Sequence, residues 1–174
     1  MFDAATKEKI IKALLFVFVV FLFGSFAYLI FSPKGAGPAK GAAKIYFFKD
    51  DKLVAVARNV SAMGDVKARA DGLVAGPTKS EAAKGLFTEI PAGTKVRKAF
   101  IEGDTAYVDF SKKLGEYGGG SARVQGLIMQ IVYTMTEMPG INKVGIMVDG
   151  KSEVVLGGEG YVIEKPLSRN DTGL

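Results

Sequence analysis

The 174-residue sequence contains no cysteine and no histidine. The first absence excludes disulfides, zinc–thiolate sites, iron–sulfur clusters, cysteine nucleophiles and a lipid-modified cysteine. The second removes the commonest metal ligand and the commonest general base at neutral pH. Most hydrolase triads and most transition-metal enzymes are therefore excluded before any motif is read. No GxGxxG or GxxxxGK[ST] phosphate-binding motif is present, and the run Gly115–Gly120 (GEYGGG) reads as a loop. A strong excess of one charge is also lacking. There are 23 basic and 18 acidic residues, a net charge of +5, spread along the chain, which argues against a nucleic-acid partner. No cofactor signature remains.

Apolar residues are plentiful, at 48% of the chain, and the length suits one ordinary domain plus an appendage. The appendage is legible at once. Residues 13–31 (ALLFVFVVFLFGSFAYLIF) carry no charge, and at ~1.5 Å per residue they span ~28 Å, close to a hydrocarbon core of ~30 Å. The run is apolar on every face, which sets it apart from an amphipathic surface helix. It reads as an uncleaved transmembrane anchor. A cleaved signal peptide is the alternative, because small residues follow in Gly35–Lys44, but its apolar core is shorter, ~7–15 residues. Lys7, Lys9 and Lys12 precede the span, and Lys34, Lys40 and Lys44 follow it. Charge bias alone thus leaves the orientation open; the short leading tail favours a cytoplasmic N-terminus. The expected layout is a cytoplasmic tail (1–12), a single span (13–31), a Gly/Ala/Pro/Lys linker (32–43) and a soluble domain (44–174).

Within that domain, 44–49 and 52–60 read as a hairpin about Asp50-Asp51, which are turn residues here rather than a metal pair. A helix is expected over 63–75, ended by Gly76-Pro77. Thr78-Lys-Ser-Glu81 has capping-box spacing and starts a second, short helix. Residues 95–102 and 105–110 flank Gly103-Asp104 as another hairpin, with Ala106, Val108 and Phe110 pointing to the core. Val124, Leu127, Ile128, Ile131, Val132, Met135 and Met138 follow helical spacing, with Ser121 as N-cap; Gln125, Gln130, Thr134 and Glu137 fall on the opposite face. Residues 142–148 alternate. Asp149-Gly150 is the strongest hairpin signal in the chain and assigns 153–156 as the returning strand. Tyr161–Ile163 is a last apolar stretch. The order of elements implies an α+β fold, a largely antiparallel sheet with helices packed on one face.

Several segments, in order, carry a family resemblance: Leu73-Val-Ala-Gly-Pro77, Gly85-Leu-Phe-Thr88 with Ile90-Pro91, Ala106-Tyr-Val-Asp-Phe-Ser111, Gln130-Ile-Val-Tyr-Thr134, Val144–Gly150 and Pro166-Leu-Ser-Arg169. Together they resemble the GerMN domain of spore-germination proteins, over most of 44–171. The resemblance implies an extracytoplasmic module attached to the bacterial envelope, with no established enzyme activity and a fold similar to ring-building motifs. The chain departs from the founding member of the family in carrying one copy instead of two, and a hydrophobic span instead of a lipid-acceptor cysteine. No catalytic residue is carried over.

Five of the shared residues are candidates for a binding or structural role. Asp109 and Ser111 suit a cap or turn. Asp149 and Gly150 suit a turn needing positive φ. Arg169 suits a carboxylate partner or a bound molecule. Enzymatic alternatives are narrow. A Ser–Lys pair would draw on Ser111 with Lys112 or Lys113, or on Ser80 with Lys84; a carboxylate hydrolase would draw on Asp109, Glu102 and Glu137. Adjacent residues on a strand point apart, and Ser80 is better used in the capping segment. Asn59-Val-Ser61 and Asn170-Asp-Thr172 match the glycosylation pattern, but a bacterial family leaves them silent. The reading is therefore a non-catalytic, single-pass protein of the bacterial cytoplasmic membrane. Its domain faces outward and binds an envelope protein or a second copy; cell-wall glycan is the alternative ligand, since the part from Ser32 on holds 20 basic and 16 acidic residues.

Overall fold

A computed structural model describes residues 41–60, 64–116, 120–157 and 160–173. The span expected at 13–31 lies outside the described residues, as do the tail before it and most of the linker. Among the described residues no helix is long and apolar enough to cross a membrane.

The chain opens with the expected hairpin, β1 (Gly41–Lys49) and β2 (Lys52–Val60), paired antiparallel from Gly41↔Val60 to Lys49↔Lys52. β1 begins three residues earlier than the sequence suggested, and Ala43, expected in the linker, is buried. Asp50 adopts φ 52 in the turn, a conformation that short polar side chains tolerate. Helix α1 (Val66–Val74) is capped by Asp65, whose side chain accepts from Ala68 N at 3.0 Å. Helix α2 (Lys79–Ala82) has the full capping box between Thr78 and Glu81 that its spacing predicted. β3 (Leu86–Phe87) then pairs with the end of β1. β4 (Val96–Glu102) and β5 (Thr105–Phe110) form the second hairpin. Helix α3 (Ser121–Met135) starts three residues before Val124 and ends three before Met138, the bounds its apolar spacing suggested, with Gly120 rather than Ser121 at the N-cap. β6 (Lys143–Val148), β7 (Val154–Leu156) and β8 (Tyr161–Ile163) complete the chain.

The class is α+β, but the strands divide into three sheets instead of one: β2-β1-β3, β4-β5-β6 and β7-β8. β6 lies parallel to β5, from Thr105↔Lys143 to Phe110↔Val148. The helix-containing connection from 111 to 142 makes this possible, because parallel neighbours need a long crossover. The Asp149-Gly150 turn is present, with φ 50 and 80, as a type I′ turn demands. Its hairpin lasts for one bridge, Val148↔Lys151. β7 then leaves to pair with β8, and Leu167 takes the β6 edge at Val144.

Helix α1 packs against β4 and β1, and α3 against β1 and β6, so one helical layer serves both three-stranded sheets. The core follows: Ile45 and Phe47 from β1, Ala70 and Leu73 from α1, Ala106, Val108 and Phe110 from β5, Val144 and Ile146 from β6, and Leu127, Ile128, Ile131 and Met135 from α3. On the other face of the second sheet, Phe100 and Tyr107 stack at 5.1 Å and 11°. Tyr107 leans over Gly145, where a Cβ would stand 2.5 Å from Tyr107 Cε1.

Candidate functional site

Two polar clusters organise the domain. The first forms at the C-terminal ends of β5 and β6. Asp109, buried, accepts from Gly150 N at 2.9 Å, and the Phe110 carbonyl accepts from Asp149 N at 2.9 Å. Arg97 donates to Asp149 at 2.9 Å and lies 3.8 Å from Asp109. Ser111 exchanges bonds with Lys95: its N–H donates to the Lys95 carbonyl at 2.8 Å, and its hydroxyl accepts from Lys95 N at 3.1 Å. Asp109, Ser111, Asp149 and Gly150, drawn from two separate stretches of the sequence, thus meet at one end of one sheet. They lock the β6 turn onto β5 and extend the β4–β5 ladder by one residue pair.

Arg169 belongs to the second cluster, centred on Glu137 just past α3. Glu137 Oε1 accepts from the Tyr46 hydroxyl at 2.7 Å and from Arg169 at 3.0 Å; Oε2 lies 3.3 Å from Lys44 Nζ. Arg169 also donates to Thr136 Oγ1 at 2.7 Å and covers the Tyr133 ring at 4.6 Å. Burial alone would raise the Glu137 carboxyl, but hydrogen bonds from Tyr46, Arg169 and Lys44 outweigh it and bring the pKa down to about 2. Burial and the adjacent carboxylate push the Tyr46 phenol up. Arg69, 3% exposed, donates to the Lys44 carbonyl at 3.0 Å. Burial lowers its pKa, and the field of Glu137 opposes that. The Glu137 charge therefore answers three cations, from α1, β1 and the C-terminal segment.

A polar seam that the sequence placed on the outer face of α3 continues from the second cluster through Tyr46. Gln130 and Thr134 are fully buried. Tyr46 N donates to Thr134 Oγ1 at 3.0 Å, and Gln130 Nε2 donates to the Tyr46 carbonyl at 3.0 Å. Gln130 Oε1 accepts from Glu89 N at 2.6 Å. β3 covers only the last two residues of β1, so two side chains of a helix replace the missing strand and satisfy backbone groups that burial would otherwise orphan. The available signal is the i, i+4, i+7 spacing of Gln130, Thr134 and Glu137, which interrupts the apolar run at the end of α3.

Ser80, Asp109, Ser111, Lys113 and Glu137, weighed for hydrolysis, have other partners. Lys113 pairs with Glu116 at 3.0 Å, and Ser80 contacts Thr78 Oγ1 at 3.2 Å. Asp109 is used by the turn and Glu137 by its three donors. Among the described residues no group of acidic side chains could hold a metal ion. A shallow depression of ≈ 460 Å³ lies along β8 and the segment after it, lined by residues that include Tyr161, Glu164, Lys165 and Asp171.

No curated protein matches the chain. Among solved structures, the tandem GerMN domains of the sporulation protein GerM from Bacillus subtilis match with a TM-score of 0.58 and 26% identity, over 78% of this chain and 49% of that one. This chain thus spans about half of the tandem protein. A putative lipoprotein from Clostridium perfringens matches at 0.56 and 26%, over 78% of this chain and 90% of that one. The first GerMN domain of GerM alone gives 0.60 over 75% of this chain and 99% of that one; at 24% identity it speaks to the fold. The family model described as Germane, sporulation and spore germination, covers residues 44–154, and the chain belongs to that family, with a GerMN-like domain.

Proposed function

We propose that this protein is a non-catalytic assembly module of the bacterial envelope, tethered by the span at 13–31 with its GerMN-like domain outside the cytoplasmic membrane. One observation carries the reading: the polar residues with the strongest chemical promise are spent on backbone groups and on one another. Asp109 and Asp149 hold a turn, Ser111 ends a ladder, and Glu137 and Arg169 fasten the C-terminal segment to α3 and β1. A rigid domain of this kind works through its surface. The Clostridium perfringens relative is called a lipoprotein, which supports attachment to a membrane by a different anchor. Sedimentation of the full-length chain over a wide concentration range, with capture from envelope extracts, tests the proposal. A strict monomer that captures no envelope protein would sink it.

One feature favours wall glycan as a second reading. Phe100 and Tyr107 present their stacked rings, half-buried, on the open face of the β4-β5-β6 sheet, with Lys98 Nζ 4.7 Å over Phe100. Aromatic faces offer apolar area at low entropic cost. Retention on purified wall material that drops in a Phe100→Ala variant would support this reading; no retention at low salt would remove it.

A further inference from the structure

Among the described residues the edge of β2 is open over its whole length. In an antiparallel ladder, opposed residues both direct their amide groups into the pairing or both direct them out of it. Tyr46 sends its N–H and carbonyl outward, to Thr134 and Gln130, and the Lys44 carbonyl goes to Arg69. Their partners Ala55 and Ala57 therefore direct their own groups to the far side of β2, and the alternation extends this to Leu53 and Asn59. β2 is the outermost strand of its sheet. Among the described residues no backbone group bonds to that side, and Ala55, Ala57 and Asn59 are exposed.

Folded proteins blunt such edges with bulges, prolines and charges. The other long edge, β4, follows this rule: it has a bulge between Val96 and Lys98, and both Arg97 and Lys98 are exposed. β2 has no proline and unbroken register. Its charges are confined to Lys52 at the end and Arg58, which is turned onto Glu81 and the Phe47 ring.

We propose that β2 pairs antiparallel with β2 of a second copy, about a two-fold axis at Val56, and joins two three-stranded sheets into one. The register that uses all of Lys52–Val60 sets Val56 against its own copy, Ala55 against Ala57, Val54 against Arg58, Leu53 against Asn59 and Lys52 against Val60. It also matches the amide directions, since every outward-directed residue meets another, giving about eight interchain hydrogen bonds. No like charges are opposed. Sliding the register until Arg58 meets Arg58 would oppose like charges and shorten the overlap. The strand is thus complementary to itself, which selects a second copy as the occupant. This proposal rests on the assembly reading above and names its surface.

The chain has no native cysteine, so single introduced thiols report the register directly. The full-length chain carrying Val56→Cys is oxidised mildly in the cells that express it and run without reductant. Opposed Val56 positions would lie about 4.5 Å apart at Cα, within disulfide reach. Leu53 positions would lie on the order of 20 Å apart, out of reach. The expected result is a dimer band for Val56→Cys more than about tenfold stronger than for Leu53→Cys, and lost when Ala55→Lys is added. Val56 is half-buried, so a mixture of Ala55→Cys and Ala57→Cys chains, altered at exposed positions, provides a second route to the same contact. Equal bands for Val56→Cys and Leu53→Cys, or a bond only to a different protein, overturn the proposal. Absence of both the Val56→Cys dimer and the mixed Ala55→Cys with Ala57→Cys dimer, in a chain that sediments as an oligomer, overturns this edge and leaves the assembly reading standing. A monomer at every concentration overturns this proposal, and a monomer that also captures no envelope protein overturns both.

Discussion

Replacing Glu137 by Gln removes one negative charge and keeps an acceptor of nearly the same shape, so it isolates the electrostatic role of this residue. The folded carboxyl has a pKa of about 2 against an ordinary value of 4.5. A depressed carboxyl stabilises the fold fully above its unfolded pKa, and that contribution is lost as pH falls toward the folded value. The window runs from about pH 4.5 down to about pH 2. At about 1.36 kcal/mol per unit, the shift sets an upper limit of about 3 kcal/mol. The Glu137 side chain is 18% exposed, but its partners Lys44 and Arg169 are 61% and 38% exposed. Solvent screening of those cations brings the expected effect to about 1–2 kcal/mol. Burial of Arg69 adds to the cost, because the variant leaves a buried guanidinium without its nearby anion. Urea unfolding of wild type and Glu137→Gln at pH 7, 4 and 2.5 reads the difference. The wild type should be the more stable at pH 7, and the gap should narrow steadily below about pH 4.5. A gap that stays constant to pH 2.5 would refute the reasoning, as would equal stability at pH 7.

Gln130→Leu keeps the volume but orphans the Tyr46 carbonyl and Glu89 N, at a cost of about 2–4 kcal/mol in stability to denaturant; a loss under about 0.5 kcal/mol would show that the seam is dispensable. Gly145→Ala forces the Tyr107 ring off its seat and should cost about 1–3 kcal/mol. Adding Tyr107→Ala should recover part of that loss, so additive effects of the two changes would contradict the contact. Ser111→Ala removes one hydroxyl acceptor at Lys95 N and should cost about 0.5–1.5 kcal/mol while leaving the cellular role intact. Loss of that role in a variant still folded at growth temperature would revive the nucleophile reading.

The sequence disclosed what depends on local pattern. The first two hairpins, the capping box at Thr78 and Glu81, the αL-type turn at Asp149-Gly150 and the inward set Ala106, Val108 and Phe110 all follow from spacing within a few residues, and all stand in the structure. What it concealed depends on the partner of each element. The Asp149-Gly150 turn was legible but the course of the chain after Lys151 was not, because the β6 edge is claimed by Leu167 from another part of the chain. The parallel pairing of β5 and β6 has the same origin. Gln130 and Thr134 illustrate the limit best. Polar residues on the less apolar side of a helix face water when one layer covers the helix, and face backbone when a second layer arrives. Only the incomplete reach of β3 along β1 decides between the two.

That same incomplete reach explains why the two sides of the β1–β2 hairpin end so differently. β1 is short of a strand partner inside the core, and α3 supplies side chains because an orphaned amide there costs too much to leave. β2 is short of a partner toward solvent, where water serves its amides in the monomer. An edge that water satisfies is stable alone and yet remains free to exchange water for a strand, gaining little per hydrogen bond but adding cross-strand contacts along the length of β2. Association of this kind is weak at low concentration and strengthens where copies are crowded. The membrane tether proposed for residues 13–31 would provide that crowding by raising the effective concentration of one domain for the next. The consequence is specific: moving the same domain from a membrane tether to free solution should dissolve the Val56-centred contact without altering the fold. If the Val56→Cys dimer persists undiminished in dilute solution, the contact is intrinsic to the domain and the tether has no part in forming it.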